Sequence, residues 1–361
     1  MSLEAAIPPH LRTTRSQPLN TPPSYTPPVP AYTARFPQST KHLVIAIYGA
    51  QTKSLPASSL HPLLKFIRST LTSAPEHWDT ASSTDSLGYQ THVVIAYWHS
   101  STAHAAWSAA SGFEAWWADL QPGPVGWFKE VFTPPIDRVE TVFSDRVVPE
   151  GVAHMREDMS GEMREHVYWG SMRDRMPVAQ TDALEGEVRK GDGHMGEADG
   201  DVDTAERRVR VRGQRNLCVI RSGQDWSDTR PEERKLYLET MHPVLEKGMW
   251  FLRDEGGEIG CLENRLMTVL DPEKLTTGTD KTFGLGYFDS MESLEKWSRE
   301  HPTHMEIFGG FLKYVKQLDN DYTLRLFNEV LVLQQEQQDF EYIGCHPKTG
   351  MLSVGPESWI L

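Results

Sequence analysis

Of the fourteen histidines, His301 and His304 stand in the most suggestive setting, WSREHPTHMEIFGGF (Trp297–Phe311). Pro302 between them favours the first turn of a helix, with His301 near the cap and His304 about one turn in. Met305, Ile307, Phe308 and Phe311 follow, so the His304 imidazole lies beside an apolar surface. A neutral imidazole there can donate one ring N–H and ligate iron through the other nitrogen. The spacing is HxxH rather than HExxH, and no partner carboxylates are spaced for zinc. A helix-start histidine bonding the backbone is the competing reading, and spacing alone does not separate the two. Ser222 ends the run NLCVIRS (Asn216–Ser222) and precedes Gly223, a place where a hydroxyl could point into a cleft. A capping serine before the next helix is equally consistent. The three cysteines, Cys218, Cys261 and Cys345, are widely spaced and odd in number. That excludes a disulfide framework and any CxxC zinc or haem-attachment motif.

These residues need elements to carry them. Residues 1–40 hold nine prolines between Pro8 and Pro37, which excludes helix or central strand. This segment reads as an extended arm that wraps the body or a partner subunit. Apolar, β-rich runs predict strands at His42–Tyr48, His92–Trp98, Phe128–Phe132 and Asp137–Phe143. Helical spacing covers Leu60–Leu71 and Ala103–Trp117. The order repeats after residue 205. Strands are expected at Asn216–Ser222, Cys261–Leu270, Thr282–Phe288 and Leu324–Leu333. Glu232–Asp254 reads as one amphipathic helix bent at Pro243, and Ser290–Val315 holds further helical stretches.

One pair of segments makes the duplication visible. HVVIAYWHSSTAHAAWS and TFGLGYFDSMESLEKWS are each a strand ending in an aromatic pair, a polar cap, then a helix with Trp107 or Trp297 at the same offset. The expected fold class is therefore α+β, with two ferredoxin-like repeats forming a dimeric α+β-barrel-type structure. The expected divisions are the arm at 1–40, a first half at 41–185, an acidic Gly-rich loop at 186–210 and a second half at 211–361. The loop contains His194, read as exposed and uninvolved.

The totals bound the function. At 361 residues the chain can bury one large or two modest cores. A net charge of −14 argues against a nucleic-acid backbone or an anionic membrane surface as the main partner. No apolar run approaches the roughly 20 residues of a membrane span, and the first residues lack a signal-peptide core. A reducing, cytoplasmic setting and no membrane partner are expected.

Four blocks, VYWGSMRDRMPVAQTD (Val167–Asp182), NLCVIRSGQDW (Asn216–Trp226), HPTHMEIFGGF (His301–Phe311) and GCHPKTGML (Gly344–Leu352), together resemble the haem-containing aldoxime dehydratase (phenylacetaldoxime dehydratase) family. Their order and approximate spacing agree, and YTPPVPAYTARFP (Tyr25–Pro37) is similar to the family's arm. The resemblance implies a b-type haem in a cavity of the second half and dehydration of R–CH=N–OH to a nitrile. It implies His304 as proximal iron ligand, Ser222 beside the substrate hydroxyl, and an arginine of MRDR on the distal side, Arg175 in preference to Arg173. A homodimer is the expected assembly.

One departure bears on the chemistry. The family's acid/base histidine lies in a strand reading LRLYHEV, whereas this chain reads LRLFNEV, with Asn328 at that position. An amide hydrogen-bonds but does not exchange protons near neutral pH. Ala31 also stands where the family's arm has methionine. Three accounts follow. Another group serves, such as Glu329 (which strand alternation turns to the opposite face) or His346 in its loop. Or Asn328 positions a different N–O substrate. Or the chain binds haem as a sensor or carrier with weak catalysis.

Overall fold

The structure is a computed structural model in which residues 3–53, 60–167, 171–187 and 203–360 are described. The loop histidine His194 lies outside them. The chain runs β1 (Ala34–Arg35), β2 (Val44–Thr52), α1 (His61–Ile67), β3 (His77–Thr84), β4 (Gln90–Trp98), α2 (Ser101–Ala110) and α3 (Phe113–Asp119). It continues through β5 (Gly126–Phe132), β6 (Val139–Phe143), β7 (Asp158–Met159), α4 (Ser171–Arg175), β8 (Arg208–Val211) and β9 (Leu217–Asp225). Then come α5 (Pro231–Leu236), a π-helical turn (Tyr237–Met241), α6 (His242–Asp254), β10 (Cys261–Leu270), β11 (Lys281–Phe288), α7 (Met291–Glu300) and α8 (Pro302–Gln317). β12 (Arg325–Leu333), β13 (Gln338–Ile343) and β14 (Trp359–Ile360) close the chain.

Twelve strands form one antiparallel sheet in the order β14-β8-β13-β5-β2-β4-β3-β10-β11-β9-β12-β6. Inside it, β2 to β5 and β9 to β12 each take the order fourth, first, third, second, and the two sets meet through their second strands, β3 and β10. Ile45, Ile95, Phe132, Leu285, Phe327 and Phe340 belong to one buried cluster although their strands lie far apart in that order. Only a curled sheet brings them together, its right-handed twist wrapping the apolar inner face around itself. The opposite face carries the helices, in one cluster around Trp107 and another around Trp297.

The paired segments adopt matching local structure. Ser100 and Ser290 are extended, and each side chain accepts from the backbone N–H three residues on, starting α2 and α7. The expected helix Ala103–Trp117 is broken: Gly112, at φ 82°, makes a left-handed turn that ends α2 and starts α3. The expected helix Glu232–Asp254 gains a π-turn just before Pro243, where proline removes one N–H from the ladder. Polar β3 and β13, not expected from composition, are held by neighbours on both sides.

The N-terminal segment is strapped to residues 158–182. β1 pairs with β7, and the Asp174 carboxylate accepts from the backbone N–H groups of Asn20 and Thr21. Gln180 accepts from Thr13 N–H at 3.0 Å and donates to Leu11. Among the described residues no helix is long and apolar enough to cross a membrane.

Candidate haem and catalytic site

His301 caps α8 through its ring nitrogen, Pro302 is the first helical residue, and His304 follows two residues on. Proline at this position fixes the helix start, so the orientation of His304 is set by the backbone. Its ring meets Trp297 edge-on, with centroids 4.5 Å apart. Burial lowers its pKa to about 4, and its ring N–H bonds the Ser298 backbone carbonyl. The imidazole is therefore neutral at pH 7, with one nitrogen tied to a carbonyl, which fixes tautomer and ring plane as for a metal-ligating histidine.

α8 packs on α6, α7 and the π-turn, with no comparable packing on any strand. Gly248 lets α6 and α8 approach closely, since a Cβ there would lie 2.8 Å from Ile307. Ile307, Phe308 and Phe311 are only half-buried, as are Ile220, Ser222, Leu326 and Asn328 in the middle of the sheet. Their strand neighbours Val219, Arg221, Phe327 and Glu329, on the other face, are buried. The helix-bearing face is thus accessible where it should be packed.

A register row crosses this face. Leu266 on β10 pairs with Gly284 on β11, Gly284 with Ser222 on β9, Ser222 with Asn328 on β12, and Asn328 with Val142 on β6. Directly paired residues of antiparallel strands share a face, with Cα atoms about 4.5–5.5 Å apart. Ser222 and Asn328 are therefore side by side, and among the described residues neither side chain has a hydrogen-bond partner. Ser222 lies inside β9, which continues to Asp225, so the capping role is excluded.

The two arginines of MRDR separate. Arg173 Nε bonds Glu295 of α7 at 2.7 Å. Arg175 holds Glu140 in a two-point pair, Nε to Oε2 at 2.7 Å and Nη2 to Oε1 at 3.2 Å. Glu140 lies on β6 two residues from Val142, on the same face as Asn328. Sequence reasoning missed Glu140, although a carboxylate in the apolar strand VETVF was a signal. Glu329 turns to the inner face, where it accepts from Val152 N–H at 2.8 Å and Tyr97 OH at 3.4 Å. His346 Nε2 pairs with Asp85 at 2.7 Å. Neither joins the Ser222–Asn328 row.

An accessible apolar face, a helix held off it and a neutral imidazole with one anchored nitrogen fit an iron porphyrin. No group of three or more His, Cys, Asp or Glu that could hold a metal ion by itself occurs among the described residues. The class this points to is that of a haem protein.

Comparison with known proteins agrees. The profile of haem-containing dehydratases matches residues 46–351. An aliphatic aldoxime dehydratase of Pseudomonas sp. is 37% identical over 359 residues, covering 97% of this chain and 98% of that protein. A phenylacetaldoxime dehydratase of Bacillus sp. (strain OxB-1) is 34% identical over 340 residues, covering 92% and 93%. A crystal structure of an aldoxime dehydratase in complex with butyraldoxime superposes with a TM-score of 0.86 at 34% identity, covering 97% of this chain and 96% of that one. The chain belongs to the haem-containing dehydratase family, and its cofactor is haem.

Proposed function

We propose that this enzyme is a lyase that dehydrates aldoximes to nitriles, with His304 as the proximal haem ligand and Ser222, Asn328 and Arg175 around the substrate. The observation that carries the reading is the side-by-side pair Ser222–Asn328, without hydrogen-bond partners among the described residues, on the accessible face of the sheet. Haem, held by His304, would supply a Lewis-acidic iron centre able to exchange electron density with the substrate. The chain must do the rest. Hydroxide is a poor leaving group, so the oxygen has to be held and protonated as it departs. The Ser222 hydroxyl can donate to that oxygen, and the Asn328 amide can hold it from the adjacent strand. Asn328 cannot supply or remove the proton. Glu140, on the same face and gripped by Arg175, offers a carboxylate for proton exchange. The apolar surroundings strengthen each of these interactions by excluding water.

The two four-strand units are read as ferredoxin-like repeats, supported by their common strand order. The working divisions remain 1–40, 41–185, 186–210 and 211–361, with a homodimer in the cytoplasm as the working assembly. Asn328 favours a slow enzyme, and a haem sensor or carrier is the second reading. The test is nitrile formation from butyraldoxime by the reduced, haem-loaded protein and by Ser222→Ala. Turnover that falls about 10²-fold in the variant at equal haem content is expected, the size of a lost transition-state donor. Bound haem with no nitrile from either protein favours the sensor reading.

A further inference from the structure

β3 and β10 join the two strand sets through only three residue pairs, Thr268↔Ser82, Val269↔Ala81 and Leu270↔Thr80. Beyond them the strands part, and a cleft of about 920 Å³ opens. Its walls include Thr84 and His92 on one side and Asn264 and Leu266 on the other, with Trp250 and Met249 of α6 along the lip. Ligand pockets are commonly 300–1,000 Å³. His92 is 6% exposed, and its Nδ1 has no hydrogen-bond partner among the described residues.

Leu266, in the cleft wall, begins the row that passes through Gly284 to Ser222. Two strand spacings, about 10 Å, separate the cleft from the Ser222 hydroxyl. Gly284 and Gly286 leave a trough along β11 beneath α6. Over Gly284 the Met249 side chain fills it, since a Cβ there would lie 2.8 Å from its Sδ, while Phe288, Ile220 and Asn264 crowd it at Gly286. Asn264 Nδ2 donates to the Met249 carbonyl at 2.9 Å and lies 3.8 Å from its sulfur. An unbranched thioether swings at little cost. The far end of the row is closed, because Val142 is buried against Ala6, Ala31 and Met163.

We propose that the cleft between β3 and β10 is the vestibule through which a small neutral oxime reaches Ser222, and that the Met249 side chain is the valve between them. The proposal rests on the reading of Ser222 as part of the site. The His92 ring in the cleft wall offers a polar contact to an N–OH group on the way in, while Leu266 and Trp250 receive its hydrocarbon end. A valve on the path alters entry and exit together and leaves equilibrium affinity nearly unchanged.

Two measurements on Met249→Ala, Met249→Phe and Met249→Leu test this. The first needs no turnover. Ser222→Cys is placed in each background, and the rate of its reaction with N-ethylmaleimide is followed in haem-loaded protein, so that the open face beneath α8 is covered. The native Cys218, Cys261 and Cys345 are buried and their thiol pKa values are raised by burial, so background reaction is slow. Labelling about tenfold faster with alanine and slower with phenylalanine is expected, with leucine near the parent. Equal rates within twofold in all backgrounds overturn the valve. The second is stopped-flow binding of butyraldoxime to the reduced, haem-loaded protein, read from the haem spectrum. On- and off-rates that rise together in Met249→Ala, at constant affinity, support the proposal, and unchanged rates overturn it. Should the oxime fail to perturb the haem while labelling still tracks Met249, the functional reading falls and the vestibule stands. Leucine and alanine keep the test open if phenylalanine prevents folding.

Discussion

The helix-bearing faces of the two strand sets start from the same pattern and end differently. Along β4 the residues turned to the helices are Val94, Ala96 and Trp98, and along β11 their counterparts are Gly284, Gly286 and Phe288. On the first face Trp98, Trp107, Phe113 and Trp117 fill the space; Trp98–Trp107 centroids are 4.9 Å apart and Trp107–Phe113 5.0 Å. The second face loses side-chain volume at two adjacent positions, and α8 is held away from it by α6, α7 and the π-turn. The inner-face counterparts Val93, Ile95 and Tyr97 against Phe283, Leu285 and Tyr287 stay large in both. Two strand sets of one order can thus share a core while one helix-bearing face is packed by large aromatic rings and the other is built around glycines.

The sharpest way to break this contrast is His304→Ala. Haem should be lost from the purified protein, read as disappearance of the Soret band with the far-UV spectrum unchanged. Retention of full haem by this variant would remove the basis for a second-face site. Next, Asn328→His restores a titratable group beside Ser222. An increase in nitrile turnover of up to ~10²-fold is expected if proton transfer limits the rate, and no increase would place the limit elsewhere in the pocket.

The contrast extends to pH. Burial lowers both His104, on the filled face, and His304, on the open one, to about 4. Between about 4 and the ordinary value of 6.5 the unfolded chain binds a proton that the folded chain refuses. Stability is therefore full above about 6.5 and is lost as pH falls towards 4. Each histidine contributes up to ~2 kcal/mol of destabilisation at pH 5. Urea unfolding of haem-free protein at pH 7 and pH 5 should show a smaller difference in His304→Gln than in the parent. The smallest expected effect is that of Gly284→Val, which gives the open face the side chain of the filled one. The new Cβ meets only the flexible end of Met249, so folding should persist while apparent butyraldoxime affinity falls about tenfold, an amount set by the binding arithmetic of ~1.4 kcal/mol. Unchanged affinity would mean that the trough along β11 is not used.

Much of this was legible in residues close together in the chain. Pro302 beside His301 announced the start of α8, the duplicated Ser–x6–Trp segments announced two matching helix starts, and alternation placed Glu329 opposite Asn328. Other features escaped. β3 reads HWDTASST, too polar to look like an inner strand, and is one only because β4 and β10 flank it. Ser222 looked like a strand end because Gly223 and Gln224 follow, yet pairing with β11 and β12 carries the strand on to Asp225. Glu140 needed Arg175, 35 residues away, to reveal its place.

By itself the sequence determined most of the element types, the starts of α2, α7 and α8 and the family, because each depends on local pattern or on linear motifs. Tertiary structure alone decided the register row from Leu266 to Val142, the parting of β3 from β10 and the stand-off of α8. These arise from hydrogen bonds between strands distant in the chain, where a one-residue slip would turn Ser222 and Asn328 to the opposite face.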